Sequence, residues 1–435
     1  MPTHRIQSAE TESPSASVEA AAPGSPIAHD LCADALAFDL YNLPPDYFAV
    51  PYPYFRLLRD NDPVHRNDDG TVLVSRWADV RTIWRDATSS VNKVERFRRK
   101  FGEGPLLDHH TTSMLFRDPP DHDRVRSVVI PFFSPTSLAR MREFIETKVD
   151  RLLDEVQERG ELDFVSDFAS RIPIALITHI LGVPDEDGPL LRGLGLRVLR
   201  PLNPHVSAED IQSGHDAAAA FADYMHEHIV RARARGLRDE PATIVEALVG
   251  AQDEDGNALS DAEIVQNCLL VLNGGHTTTT DLLGVGTYAM LERPEQYRDL
   301  VEMPDASVSG AVEELLRFVS PLQIQSRRTT RTVELSSGEA VPAETEVWLW
   351  PASANRDDRV FKDPDELNLR RKPNAHLAFG QGVHVCLGRP LARMEAAIAF
   401  RKLALRFPRL ERIGEPVYNQ NARFRGLTSL PVRVA

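Results

Sequence analysis

The sequence predicts a mainly α-helical protein with a minor antiparallel β part. Three observations carry that expectation. Two long segments, Leu138–Val156 and Leu269–Met290, keep apolar residues at helical spacing. Strand-like runs are short and few, at Thr71–Val74 and between Thr332 and Trp350. No internal repeat or clean linker follows residue 40, so residues 36–435 read as one large domain behind a tail of residues 1–35.

Taken in order, the tail is rich in Ser, Ala, Pro and Glu, and is expected to be disordered. It lacks the continuous apolar stretch of a signal peptide. Asp69-Gly70 followed by Thr71-Val72-Leu73-Val74 reads as a hairpin strand. Residues 88–115, with Gly102, Gly104 and Pro105, show little periodicity and read as a long loop, of the kind that usually carries function. Ser134-Pro135 supplies an N-cap and a proline at the first helical position. The helix then continues through Leu138, Met141, Ile145, Val149, Leu152 and Val156 to Gly160. Asp253-Glu254-Asp255-Gly256-Asn257 has its glycine at the wrong position for a calcium loop and reads as a plain turn. Ser260-x-x-Glu263 is a capping box that opens a helix running to about Met290. Thr332–Leu335, a Ser337-Gly338 turn and Glu346–Trp350 read as a small antiparallel sheet. A final helix is expected from Pro390 to Phe407.

Composition narrows the function. Of 435 residues, 42% are hydrophobic and 26% charged, enough for a sizeable core. The net charge of −14 argues against general nucleic-acid binding. Three cysteines, Cys32, Cys268 and Cys386, exclude a disulfide framework and a four-cysteine metal site from one chain. The most apolar window, Cys268–Met290, is broken by Asn273-Gly274-Gly275-His276 and four threonines, so no bilayer span is expected. A reducing, cytoplasmic compartment fits this cysteine usage.

The most informative segment is Phe379-Gly380-Gln381-Gly382-Val383-His384-Val385-Cys386-Leu387-Gly388. Its first two glycines permit a tight loop. Cys386 then precedes a helix start, where backbone N–H donors and the helix dipole favour a thiolate. A thiolate suits a soft iron ligand, as against the inert buried thiol that a lone cysteine usually is. This stretch resembles the heme-binding loop of the cytochrome P450 family, F-G-x-G-x-H-x-C-x-G, at every fixed position. The resemblance implies a triangular helical prism around a buried heme b (iron protoporphyrin IX). Cys386 would be the iron ligand, with Phe379, Gly380 and Gly388 shaping its loop.

Other segments resemble the same family in the expected order. Glu314-Leu315-Leu316-Arg317 contains its E-x-x-R motif, and Arg371, with Arg370 adjacent, occupies the place of the third, structural partner. Asp118-Pro119-Pro120-Asp121-His122-Asp123-Arg124-Val125-Arg126 resembles the start of its C helix, which implies that His122 and Arg126 donate to heme propionates. Arg327 and His384 match two further donors. Gly274-Gly275-His276-Thr277-Thr278 resembles the oxygen-binding segment A/G-G-x-D/E-T, with Thr278 at the family's threonine. Thr277 stands where the family usually has an acid. It cannot ionise, and can only pass a proton along. Asp281 lies four residues on, with no pattern to promote it. The run Thr277–Thr280 also suits hydroxyls bonded back to helix carbonyls.

By the same resemblance, residues 88–115, 200–215, Gly274–Thr278 and Leu322-Gln323-Ile324-Gln325 would line the substrate pocket; Gln323 and Gln325 alternate along an extended segment, so that one points inward or both are solvated polar groups of a strand. Lys93, Arg96, Arg98, Arg99 and Lys100 could draw an anionic substrate or partner, but read better as a solvated basic face. The expected activity is that of a monomeric heme–thiolate monooxygenase acting on a small, mostly apolar molecule. Its electrons would come from a separate ferredoxin or flavodoxin with its reductase, docking near Cys386 on Arg117, Arg124, Arg389 and Arg393. Neither nucleic acid nor a membrane is an expected partner. The alternatives are a peroxide-driven or otherwise atypical heme–thiolate enzyme, which Thr277 motivates, and a heme-binding sensor without turnover.

Overall fold

The computed structural model describes residues 31–236, 240–252 and 256–434, with side chains from residue 34 onward. The expected disordered tail up to residue 30, and the acidic turn at 253–255, lie outside the described residues. The segment 31–35, expected within that tail, begins a short helix, α1 (Leu31–Leu36), on which Ala35 is fully buried. It packs on α2 (Tyr52–Asn61).

A hairpin, β1 (Val64–Arg66) and β2 (Val72–Val74), leads to α3 (Trp77–Arg85). Residues 88–115, read from sequence as a loop, carry α4 (Val94–Phe101) and α5 (Pro105–Thr112). Helices this short are unstable alone and persist because tertiary packing buries one face. Here Phe97, Phe101, Leu106 and Leu107 are all buried in the main core. Then come α6 (Asp121–Val129) and α7 (Pro135–Arg159). Ser134 caps α7 by accepting from the Ser137 amide, Pro135 is its first residue, and Gly160 ends it at φ 73°. Met141, Ile145, Val149, Leu152, Leu153 and Val156 form its buried stripe, each worth up to about 1.5–3 kcal/mol of apolar burial.

After β3 (Glu161–Asp163), four helices follow: α8 (Arg171–Leu181), α9 (Gly188–Leu199), α10 (Ala208–Arg235) and α11 (Ile244–Gly250). They surround α12 (Asp261–Leu291), which opens with the Ser260/Glu263 capping box. A surface helix shows one apolar stripe, but α12 is buried on nearly every side, the mark of a central helix. Its partners include α8, α9, α10, α14 (Asp305–Val319) and α16 (Arg389–Arg406), with α13 (Pro294–Glu302) at its C-terminal end. Gly275 lets α8 cross closely, since a Cβ there would stand 2.2 Å from Ile177 Cδ1.

The main sheet has the order β1-β2-β7-β4, with β4 (Gln325–Arg328) and β7 (Glu346–Leu349). The expected antiparallel unit of Thr332–Leu335 with Glu346–Trp350 does not form. Instead β5 (Val333–Glu334) pairs with β6 (Ala340–Val341), while β7 lies parallel to β2 and antiparallel to β4. The parallel register Val72↔Val347 joins strands far apart in sequence, which local pattern cannot foresee. α15 (Pro351–Ala354) follows β7. At the chain's end, β8 (Glu411–Arg412) joins β11 (Pro431–Arg433) and β3, and β9 (Val417–Tyr418) pairs with β10 (Leu427–Ser429). The architecture is therefore a helical body around α12 with a small sheet region at one side. Among the described residues, no helix is long and apolar enough to cross a membrane.

Candidate functional site

The loop that carries Cys386 is closed by its own backbone. The Gly380 amide donates to Leu377 O, Val385 to Gly382 O at 3.1 Å, and Cys386 to Phe379 O at 2.9 Å. Gly380 and Gly382 have φ of 67° and 75°. At Gly382 a Cβ would stand 2.1 Å from the Trp84 carbonyl oxygen, so only glycine fits. The Cys386 sulfur receives the Gly388 and Arg389 amides, with the Arg126 and Arg389 guanidiniums near it. Sequence reasoning expected these donors to lower the thiol pKa. The net direction is upward, because burial of the charged form outweighs them. A metal ion would reverse that balance, since a coordinating thiol is deprotonated outright.

Two elements bring cationic and imidazole groups beside this loop. His122 and Arg126 lie one turn apart on α6, and Arg327 comes from β4. The His122 and His384 rings meet edge to face with centroids 4.3 Å apart. Arg126 Nη2 donates to Val385 O at 2.9 Å. Burial, and then the positive charges of Arg327, His122, Arg126 and Lys93, press His384 down to about 3. Arg327 is buried, and burial with Arg423 beside it lowers it to about 10. Among the described residues neither Arg126 nor Arg327 has a carboxylate in ion-pair contact. Lys93, read from sequence as part of a solvated face, is buried in the same cluster and donates to Ser326 Oγ at 2.6 Å.

On α12, Gly274 is exposed in the middle of an otherwise buried helix, and Thr278 beside it is half-buried. The Thr278 hydroxyl donates to Gly274 O at 3.3 Å, and those of Thr279 and Thr280 likewise bond back one turn. Thr277 is buried and shares a 3.2 Å hydrogen bond with His276 Nε2, whose Nδ1 lies 2.9 Å from Leu272 O. Asp281 is buried against Gly426 with Oδ2 unpartnered. Burial pushes its carboxyl up to about 7 despite Arg192 and Arg425 nearby.

Behind the loop, Glu314 and Arg317 form a fully buried bidentate pair at 2.7 and 2.8 Å. Arg371 Nε donates to Glu314 at 3.0 Å, together with Asn374 and the Asn368 amide. Arg317 also reaches Asn355 O, Pro364 O and Glu366 O. The adjacent candidate, Arg370, is exposed and pairs with Asp299 instead.

Comparison with known proteins identifies the family. Residues 197–416 match the family model Cytochrome P450. The chain belongs to the cytochrome P450 family. It is 33% identical over 414 residues to the cytochrome P450 monooxygenase PikC of Streptomyces venezuelae, covering 91% of this chain and 94% of that one. It is 37% identical over 379 residues to nocardicin C N-oxygenase of Nocardia uniformis subsp. tsuyamanensis, covering 83% and 88%. The solved structure of P450BioI in complex with a hexadec-9Z-enoic acid ligated acyl carrier protein superposes with a TM-score of 0.83 at 29% identity, covering 90% of this chain and all of that one. The protein is thus a P450 monooxygenase of mainly helical fold, in a family that uses a heme–thiolate cofactor.

The residues present in this P450 fit that cofactor. Gly274 leaves an opening on α12 where a side chain would otherwise stand. Arg126 and Arg327 are positive groups without carboxylate partners, which suits the entry of an anionic group.

Other expectations are corrected. Gln323 is buried and donates to Val319 O and Ser320 O, and Gln325 accepts from Trp84 Nε1 at 3.0 Å, so both side chains are bound within the protein. Of the basic run, only Arg98 and Arg99 are exposed; Arg96 is half-buried on Glu346 and Tyr41, and Lys100 donates to Asn203 O. In the proposed donor patch, Arg117 and Arg124 are taken by Glu263, and Arg393 by Glu313. Only Arg389 lacks a carboxylate among the described residues. Burial opposes ionisation of Glu313, but hydrogen bonds from Arg393 and His376 hold it down at about 2. Sequence reasoning also missed Arg423 and found no reason to promote Asp281, because the signal of both is burial.

Proposed function

We propose that this P450 is a single catalytic domain over residues 36–435, holding heme b through Cys386. It would oxygenate a small, mostly apolar organic molecule. Bound heme supplies dioxygen activation, with one oxygen atom going to substrate and the other to water at the expense of two electrons and two protons. The chain's own residues do the rest. The amides of Gly388 and Arg389 stabilise negative charge on Cys386 Sγ. Arg126 and Arg327 would neutralise the propionates, and the His122 and His384 imidazoles would orient them by N–H hydrogen bonds. Glu314, Arg317 and Arg371 brace the segment that leads into the loop. Gly274 and Gly275 shape α12, and the Thr278 hydroxyl, able both to accept and to donate, holds a proton at the site. The Thr277 hydroxyl is bonded to His276 Nε2, while that of Thr278 is bonded to Gly274 O, so Thr277 would exchange a proton with His276 alone.

The observation that carries this reading is the self-bonded loop that presents Cys386 beside guanidiniums from two other elements. A monomeric protein in the cytoplasm, served by a ferredoxin or flavodoxin and its reductase, is the setting we infer. The donor would dock over the concavity lined by Phe379, Gln381, Arg389 and Arg393. With three of the four arginines already paired, reversing Arg389 should weaken donor binding most.

The deciding experiment is a reduced, carbon-monoxide-bound difference spectrum of the purified protein with a Cys386→Ser control. A strongly red-shifted Soret band, lost in the control, is the expected result. A spectrum of histidine-ligated heme, or no heme, overturns the reading. A second reading, peroxide-driven turnover, is favoured by one observation: Thr277 and its partner His276, held near 4 by burial, form no ionised acid. Product formed with hydrogen peroxide but not with NADH, ferredoxin and reductase selects it.

A further inference from the structure

This chain carries a net charge of −14, yet it gathers cations in its interior. Lys93, Arg327 and Arg423 are all buried, and Lys100 is half-buried. Arg423 lies within electrostatic reach of the other three. Two carboxylates reach this group, and both are engaged elsewhere: Glu346 by Arg96 at 2.8 Å, and Asp118, near Arg327, by the Ser90 hydroxyl and the Val91 amide.

Arg423 is the member without a partner. It is 5% exposed, its Nε has no hydrogen-bond acceptor, and among the described residues it forms no ion pair. Its backbone, in contrast, is fixed on both sides. The Ala422 and Arg423 amides donate to Asn203 Oδ1, and Arg423 O accepts from the Gln323 amide at 2.8 Å. The same Asn203 accepts Lys100 Nζ through its carbonyl, which ties the two cations to one residue. Lys100 in turn lines an open groove between α4, α5 and α10. Beside α4 and α5, Phe97 stacks on Phe101 at 5.1 Å and lies edge-on to Phe116, and the buried imidazole of His110 packs among these three rings. A buried guanidinium with no counter-charge is costly, and a fixed backbone prevents it from escaping to solvent. Arg327 is accounted for by the propionate reading above; Arg423 is not.

We propose that the substrate of this P450 carries a carboxylate on an apolar body, and that Arg423 anchors that carboxylate, with Lys100 drawing it in from the groove. The proposal rests on the monooxygenase reading and names its substrate class. An anion arriving at Arg423 supplies the missing counter-charge through charge-assisted hydrogen bonds, and the aromatic cluster takes the apolar remainder.

The test is calorimetric titration of the holoprotein with matched probes, the straight-chain acids from hexanoate to hexadecanoate and their primary amides. At least one acid is expected to bind about tenfold or more tightly than its amide, in line with the worth of a charge-assisted bond. Arg423→Gln should abolish that preference with the carbon-monoxide spectrum intact, and Arg423→Lys should restore part of it. Acids that bind no better than amides, absence of binding by both included, overturn the proposal whatever the variants do. So does an Arg423→Gln protein that loses heme but keeps the preference, because Arg423 then serves the propionates. Failure of the carbon-monoxide spectrum in the wild-type protein defeats the monooxygenase reading instead, and is read separately from the titration.

Discussion

The His122 and His384 imidazoles pack edge to face at 62°, ring centroids 4.3 Å apart, although 262 positions separate them in sequence and only tertiary folding brings them together. Each ring braces the other beside the Cys386 loop. If both donate to heme propionates, replacing either by alanine removes a charge-assisted hydrogen bond worth about 1.5–3 kcal/mol. Heme transfer to excess apomyoglobin should then run about tenfold or more faster. The double variant should fall short of the product of the singles, because the rings share one contact. Unchanged transfer rates in both singles would remove these residues from the cofactor site.

The two loop glycines make a graded pair. A methyl at Gly382 collides with the Trp84 carbonyl oxygen at 2.1 Å, on top of a left-handed φ of 75°. A methyl at Gly380 meets only the Trp84 ring at 3.9 Å, at φ 67°. Gly380→Ala should therefore cost about 1–2 kcal/mol of backbone strain, and Gly382→Ala visibly more. Urea unfolding of both proteins checks the order, and equal losses would contradict it.

Glu314 is fully buried and serves Arg317, Arg371, Asn374 and the Asn368 amide at once. Glu314→Gln leaves two guanidiniums without their counter-charge, for a loss of about 3–5 kcal/mol. Arg370→Ala, which breaks only an exposed pair with Asp299, should cost less than about 1 kcal/mol. Thermal melts of the two variants side by side give the comparison.

Glu395 on α16 is buried with Oε1 unpartnered, and burial pushes its carboxyl up to about 8. The folded protein thus holds a proton that the unfolded chain releases near its ordinary 4.5. Stability from this group is complete below that value and is lost as pH rises toward 8. Asp281, raised to about 7, acts in the same direction. Glu395→Gln should therefore gain stability relative to wild type between pH 5 and pH 8. Parallel curves for the two proteins across that range would place a counter-charge at Glu395.

Much of this was written locally in the chain. Ser134-Pro135 and Gly160 bound α7 in the structure as in the sequence, and the Ser260/Glu263 box opens α12, because a cap needs only neighbours three residues away. The Cys386 loop was legible for the same reason: its glycines, its thiol and the start of the helix after it, Gly380 to Arg389, are contiguous in sequence. The short helices α4 and α5 were not. Val94–Phe101 holds just two aromatic anchors, Phe97 and Phe101, among five charged residues, and forms a helix because those anchors find a core.

The sequence by itself determined the family, the helical class and the residues around Cys386, since these depend on contiguous patterns. Only the tertiary structure decided which charges turn inward. Lys93 and Lys100 belong to a run that reads as solvated, and Arg423 to no motif at all. Whether a cation faces water or the interior depends on what packs across from it, here β4, Asn203 and the Gln323 amide, all distant in the chain. The parallel pairing of β2 with β7 was decided in the same way, by a partner 275 residues away.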